Sequence, residues 1–229
     1  MNIQKEKNHT YAIKPVVMAN DAIIKNVVEP LPNNYGFFLM IVGKPNSGKS
    51  TLWINLINTK DKYTYYKKFD QIHIFSNSIK TITTKIKLSE DRIHDGINDI
   101  NEVIAQVAET DDKTLFILDD VVCDIKDTDA IMKLIYNRRH IGGSISLIIT
   151  TQVYNRIPLA IRKCASDLIV FSTGNKKEKD FIFEEFINID RHRYDNIINY
   201  CFKDSNHDFL YIKPESGTFY HNFDKLVFD

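Results

Sequence analysis

Residues Gly43-Lys44-Pro45-Asn46-Ser47-Gly48-Lys49-Ser50, with Thr51 behind them, constrain this chain more than any other stretch. They follow the order glycine, four residues, then Gly-Lys-Ser/Thr, which is a phosphate-binding loop. Such a loop works only between a strand and a helix, because backbone N–H groups and the helix N-terminus must converge on one anion. Both flanks are readable. Phe37 to Val42 is an unbroken apolar run of the kind that makes a buried parallel strand. Leu52, Trp53, Leu56 and Ile57 recur downstream at helical spacing. Gly43 and Gly48 supply the backbone freedom and close approach that a Cβ blocks. The pattern predicts a nucleoside triphosphate site over Gly43 to Thr51, with Lys49 reaching the β- and γ-phosphates and the Ser50 hydroxyl on Mg²⁺. An ordinary turn with a lysine at a helix start would have to match eight positions in register and both flanks.

The length of 229 residues suits one α/β domain. Hydrophobic residues at 43% and charged residues at 26% are ordinary globular usage, which argues against disorder or a fibrous repeat. No apolar stretch approaches the roughly 20 residues of a membrane-spanning helix. Met1 to Asn8 is polar and lysine-rich without an apolar core, so no secretory signal is expected and the protein reads as soluble and intracellular. Thirty Lys and Arg balance thirty Asp and Glu, so any DNA site has to be a local patch. Cys123, Cys164 and Cys201 are too widely spaced for a zinc cluster and odd in number for a disulfide framework, which leaves buried or idle thiols in a reducing compartment. The seven histidines show no metal-ligand spacing.

In chain order, residues 1–34 carry two apolar patches, Tyr11 to Met18 and Ala22 to Val28, closed by a proline-rich turn at residues 29–34. They are expected to form an N-terminal extension lying on a nucleotide domain of residues 35–229. Gln71 to Phe75 reads as a strand. Ile79 to Leu88 alternates Thr and Lys with Ile, as an edge strand or a basic loop facing a ligand. Asp95-Gly96 is a turn, and Ile100, Val103, Ile104, Val107 and Ala108 make one apolar helix stripe.

Thr114 to Leu118 is an apolar strand that runs into Asp119-Asp120, a Walker B pattern. Asp119 is expected to hold Mg²⁺, directly or through water, together with Ser50. Asp120 is expected to be the base that polarises the attacking water. Paired aspartates after a strand are also good turn and cap chemistry; the phosphate loop upstream favours the functional reading. A helix over Thr128 to His140, capped by Asp127 or Thr128, ends in Arg138-Arg139-His140 and Gly142-Gly143, which any helix C-terminus favours. Ser146 to Thr151 is a further strand, and its tip Gln152 would orient water or sense the γ-phosphate from the sheet edge where α/β ligands bind.

Asn155 to Cys164 reads as a short helix entered through Pro158, and Asp167 to Phe171 as a strand. Asn175-Lys176-Lys177-Glu178 approaches a guanine-reading motif, but its last residue is Glu, and Val122 stands where a GTPase wants glycine. Helices are expected over Asp180 to Asn188 and Arg191 to Phe202. A terminal β-hairpin joins Phe209 to Ile212 with Thr218 to Tyr220.

The order Gly43 to Thr51, Leu115 to Asp120, Arg138-Arg139-His140, Leu147 to Gln152, Ile157-Pro158 and Ile161-Arg162 resembles the FtsK/HerA superfamily, and within it the poxvirus-type genome-packaging ATPases of eukaryotic DNA viruses and virophages. The likeness covers roughly residues 35 to 225. It implies a RecA-like P-loop NTPase fold, α/β with a mainly parallel sheet flanked by helices, the Gln152 strand between the two Walker strands, and a C-terminal β-hairpin. It further implies an ATPase using ATP and Mg²⁺ to move double-stranded DNA into a capsid. The partners implied are a homo-oligomeric ring of five or six subunits and a capsid or portal vertex protein, in the virion or the host-cell cytoplasm where viral factories form. In such rings an arginine from one subunit completes the neighbour's site, and Arg138 or Arg139 stands where that pattern expects it. Asp120 departs from the family, where many relatives carry Glu. Lys80, Lys85 and Lys87, or Lys176, Lys177 and Lys179, are the candidate DNA-facing clusters. The alternatives are a small P-loop kinase, which would need an acceptor pocket and an arginine-rich lid, and a non-catalytic scaffold, against which Lys49, Ser50, Asp119 and Asp120 all speak.

Overall fold

A computed structural model describes residues 22–83, 85–86, 88–89, 92–121 and 129–228. Nine strands among them form one sheet in the order β3-β2-β4-β5-β1-β6-β7-β8-β9. The parallel part comprises β1 (Phe38–Val42), β2 (Gln71–Ser76), β3 (Ile93–Asp95), β4 (Thr114–Asp119), β5 (Ile145–Thr151) and β6 (Asp167–Phe171). From β6 onward the sheet turns antiparallel through β7 (Phe209–Lys213), β8 (Thr218–His221) and β9 (Asp224–Lys225). The expected hairpin is therefore the outer part of the main sheet, with Leu168 paired to Ile212. The Gln152 strand β5 lies between β4 and β1, as the resemblance implies.

Alternate residues of each strand leave on opposite faces, and both faces are apolar, so the central strands need helices on both sides. One face gathers Met40, Leu118, Leu147 and Val170 under α3 (Ile100–Ala108), α4 (Asp129–Asn137), α6 (Lys176–Phe186) and α7 (Arg191–Cys201). The other gathers Leu39, Ile41, Ile117 and Ile148 under α1 (Lys49–Asn58), which buries Trp53, Leu56 and Ile57. Ile24, Val27 and Leu31 join this second layer, and the 22–34 segment is tied down by Lys213 Nζ to the Pro30 carbonyl and by the Tyr220 hydroxyl to Glu29.

Three expectations change. Residues Ile79–Thr83 form a short helix, α2, rather than an edge strand, and β3 takes the edge position. The reason is local: the Ser76 hydroxyl accepts the Ser78 N–H and turns the chain at the end of β2, and the Thr83 hydroxyl bonds back to the Ile79 carbonyl. The α6 helix begins at Lys176, earlier than Asp180, because the Asn175 side chain caps the Lys177 N–H. The Asn155 to Cys164 segment splits into a 3₁₀ turn, Tyr154–Arg156, and α5 (Leu159–Arg162) beginning after Pro158. The expectations for Met1 to Asn8, Tyr11 to Met18, Lys87, Val122, Cys123 and the Asp127 or Thr128 cap lie outside the described residues.

Gly142-Gly143 lets the start of β5 pass close to the chain leaving α3. A Cβ on Gly143 would stand 1.9 Å from the Asp111 carbonyl oxygen, and one on Gly142, at φ +56°, 2.5 Å from that of Val107. Gly143→Ala is therefore expected to lower stability by about 3 kcal/mol, the upper end for overpacking, read as a lower urea midpoint at unchanged slope. A midpoint equal to wild type would show that the backbone at residues 111–112 yields freely.

Candidate nucleotide-binding site

The phosphate loop leaves the C-terminal end of β1 and closes onto α1. Its entry is fixed by the Gly43 N–H to the Thr151 carbonyl of β5 at 3.1 Å. A Cβ on Gly43 would lie 2.5 Å from Ser47 Oγ and 2.8 Å from Phe171 Cβ, and Gly48 has φ +111°, so these two glycines are steric requirements of the loop. Lys44, Pro45 and Asn46 are exposed at its crest, whereas Ser47 and Lys49 are buried. Lys49 Nζ donates to the Gly43 carbonyl at 2.8 Å and the Lys44 carbonyl at 3.2 Å, and stands 3.6 Å from Asp120 Oδ2. An ammonium wrapped by the loop in this way is aimed at the loop's own concavity. Pro45 to Thr51 and Asp120 line a cavity of about 310 Å³ there, into whose wall are built two buried polar atoms, Ser47 Oγ and Asp120 Oδ1, that have no partner among the described residues.

Asp119 is 5% exposed at the end of β4. Its Oδ1 accepts Thr150 Oγ1 at 2.8 Å, Trp53 Nε1 at 3.0 Å and Ser50 Oγ at 3.3 Å. Among the described residues Oδ2 has the longer contacts to Ser50 at 3.4 Å and Ser76 at 3.5 Å. The hydroxyl of Ser50 and the carboxylate of Asp119 thus present neighbouring hard oxygens beside the loop, a donor set suited to Mg²⁺, which takes one or two protein oxygens and completes its shell with phosphate and water. Among the described residues no group of three His, Cys, Asp or Glu side chains could hold a metal by itself.

Asp120 has φ +57°, a left-handed conformation that turns its side chain back over the sheet edge. Its N–H is held by Thr150 Oγ1 at 3.0 Å, and Gln152 Nε2 donates to its Oδ2 at 3.2 Å. Burial pushes the Asp120 carboxyl above the ordinary carboxylate range and Asp119 adds to that, while Lys49 and Gln152 oppose it. Lys49, Ser50, Asp119, Asp120 and Gln152 are therefore one cluster.

Arg138 and Arg139 are elsewhere. They form a 3₁₀ turn after α4, where Arg138 Nε donates to the Gly36 carbonyl at 2.7 Å and Nη1 to the Ile135 carbonyl at 2.6 Å. Gly36 precedes β1 and the phosphate loop follows it, so the arginines and the loop sit at opposite ends of that strand, about 17 Å apart at ~3.3 Å per residue. Burial and the neighbouring Arg139 lower the Arg138 guanidinium from its usual value. Arg139 is exposed.

Several contributors carry no sequence signal. Thr150 and Trp53 read simply as strand and helix-stripe residues, yet both bond Asp119. His207, in the turn before β7, has Nδ1 at 3.1 Å from the Ser47 carbonyl and so donates to the loop from its outer side. Beside it, Lys44 to Ser47, Ser172 and Asn206 line a second cavity of about 260 Å³. The guanine-like motif dissolves: Asn175 is a helix cap, and Glu178 is buried on Thr173 and the Tyr154 N–H.

The model of the poxvirus A32 protein family matches residues 29–212, which takes in every element from β1 through α7 and all of β7 but its last residue. The chain belongs to that family. No curated protein matches significantly. Among solved structures, the DNA-packaging ATPase B204 of Sulfolobus turreted icosahedral virus superposes with a TM-score of 0.59 at 19% identity, covering 83% of this chain and 98% of that one. The B204 genome-packaging NTPase of Sulfolobus turreted icosahedral virus 2 in complex with ATP-γ-S gives 0.57 at 19% identity, with 83% and 98% covered. The cytoplasmic domain of the type VII secretion ATPase EccC of Thermomonospora curvata gives 0.55 at 16% identity, covering 84% of this chain and 24% of that one. The fold shared with them is that of P-loop ATPases, a mostly parallel sheet flanked by helices.

A carboxyl whose folded value is raised binds its proton more tightly in the folded than in the unfolded state. Its contribution to stability is present at low pH and is lost as pH rises from the unfolded value, near 3.9, through the raised folded one. Asp120→Asn removes this loss, so the variant's melting temperature relative to wild type is expected to climb from pH 4 toward pH 7 in thermal melts without nucleotide. A pH-independent difference would mean that Lys49 and Gln152 already balance the burial.

Proposed function

We propose that this chain is an ATP-driven translocase of double-stranded DNA that packages a viral genome, acting as a homo-oligomeric ring. The observation that carries this is the convergence of Lys49, the Ser50–Asp119 pair and the Asp120–Gln152 pair on one sheet edge, in a member of the poxvirus A32 family. Support comes from two B204 proteins of the same fold, one a DNA-packaging ATPase and the other, from the second virus, a genome-packaging NTPase seen with ATP-γ-S. This context favours translocation over the small-molecule kinase alternative.

In this reading the triphosphate lies in the loop cavity with its γ-phosphate toward Asp120 and Gln152. Its nucleoside leaves on the opposite side of β1, over the cavity beside Ser172 and Asn206. Lys49 exchanges the Gly43 and Lys44 carbonyls for phosphate oxygens. Ser50 and Asp119 would hold Mg²⁺, which would supply charge neutralisation on the triphosphate. Asp120 takes the proton of the attacking water, which Gln152 orients; burial that raises an acid's proton affinity makes it a better base at neutral pH. Arg139, exposed and remote from its own loop, is the finger offered to a neighbouring subunit, while Arg138 builds the turn that presents it. DNA phosphates meet Lys80 and Lys85, or Lys176, Lys177 and Lys179, without sequence preference. A capsid or portal protein anchors the ring in the virion or viral factory.

ATPase rates with and without double-stranded DNA test the proposal as a whole: DNA is expected to raise the rate at low salt, and an assembled ring indifferent to DNA would return the kinase reading. Asp120→Asn should keep ATP binding and slow turnover by about 10²- to 10⁴-fold, and a wild-type rate would place the base elsewhere. Lys49→Ala should abolish binding in a calorimetric titration. Mixing Arg139→Ala with Lys49→Ala subunits should recover part of the lost activity, because some mixed interfaces pair an intact loop with an intact arginine. Absence of recovery in rings shown to be mixed would return Arg139 to an ordinary helix-end cation.

A further inference from the structure

One buried polar cluster reaches the hydrolytic residues through the backbone. Glu178, in the first turn of α6 and 5% exposed, accepts the Tyr154 N–H at 3.2 Å and the Thr173 hydroxyl at 2.8 Å. Two turns along the same helix face, Glu185 accepts the Tyr154 hydroxyl at 2.5 Å and pairs with Arg162 at 2.9 Å. One helix thus grips the wholly buried Tyr154 twice, by main chain and by side chain. Tyr154 follows Gln152 with Val153 between them, and Val153 is itself closed into a turn by the Thr151 hydroxyl, which meets its N–H and its carbonyl at 3.2 Å each. No slack segment separates the clamp from Gln152.

We propose that Glu178 is a positioning residue for hydrolysis: by holding the Tyr154 amide it sets where the Gln152 side chain meets Asp120, and this makes α6 part of the hydrolytic machinery. The inference rests on the reading above that Gln152 and Asp120 handle the attacking water. A carboxylate gripping a backbone N–H is about twice as strong as a neutral hydrogen bond and correspondingly stiff. A shift of α6 is therefore passed to the strand tip rather than absorbed, and the Gln152 to Asp120 bond, already 3.2 Å, is the contact that changes. Glu178 also ties the loop after β5 to the loop after β6 through Thr173, so the two loops flanking the phosphate loop move together. Lys176 and Lys177 are exposed on the same first turn, where a polyanion would load the clamp directly.

The test separates turnover from binding in the full-length protein. Glu178→Ala is expected to lower kcat by roughly 10- to 100-fold, the scale of a slightly misplaced catalytic group. ATP affinity by calorimetry should stay within about threefold of wild type, and the Tyr154 amide should exchange its hydrogen faster. Glu178→Gln keeps an acceptor for that amide and lets the Thr173 hydroxyl reverse its role, so it should restore both kcat and protection. A folded Glu178→Ala protein with wild-type kcat overturns the proposal, as does a loss of affinity that matches the loss of kcat, or a Glu178→Gln variant no better than Glu178→Ala. Should Glu178→Ala not fold, Tyr154→Phe removes only the hydroxyl grip; reduced kcat at unchanged affinity supports the clamp, and unchanged kcat counts against it. Wild-type protein that binds no ATP removes the nucleotide reading and this inference with it, whereas normal wild-type turnover with an unaffected Glu178→Ala removes only the inference.

Discussion

The carboxylate of Asp119 is where the fold and the site become one problem. It receives hydrogen bonds from Trp53 on α1, Thr150 on β5, Ser76 on β2 and Ser50 at the head of α1. Bonds to a charged acceptor contribute roughly 1.5–3 kcal/mol each when well made, and here they join one helix to three strands at one buried point. The parallel sheet brings these donors together because β2, β4 and β5 are neighbours in it and end at the same edge. Taking the carboxylate away leaves the buried Trp53 N–H without its acceptor as well as the site without an oxygen.

A second layer of dependence runs through Thr150. Its hydroxyl donates to Asp119 and accepts the Asp120 N–H, so one side chain sets both aspartates. It also stabilises the left-handed turn at Asp120. Such backbone suits a short polar side chain that bonds locally, and Asp is several-fold favoured there over most residues. The short acid therefore suits the local backbone and is brought to Lys49 by the chain's own turn.

What could be read from residues alone depended on whether the information was contiguous. The phosphate loop, the Walker B strand and the Gln152 tip were legible because each is a run of neighbours with its own flanking pattern, and the place of the Gln152 strand between the two Walker strands followed from the resemblance. Trp53, Thr150 and His207 were not, because a hydroxyl at a strand end or a histidine in a turn gains meaning only when another element arrives beside it. Of the two readings of Ile79 to Leu88, the strand rested on the preference of Ile and Thr, which a single hydroxyl-capped turn after β2 overrides at Ile79–Thr83. The guanine-like motif ending in Glu178 already fails as a sequence pattern, and the side chain is buried against Tyr154 and Thr173, a role that no run of neighbours announces.

The placement of Arg138 and Arg139 at the far end of β1 from the phosphate loop has a consequence for symmetry. A contact that carries the turn at Gly36 to another copy's loop joins two different patches, which a two-fold pair makes twice across one interface and a head-to-tail step makes once. In the head-to-tail case each copy keeps one unused patch, and repetition of the same step either closes on itself or continues as a helix. The choice between those outcomes lies in the rotation per step, which the contact surfaces set and the nucleotide chemistry does not.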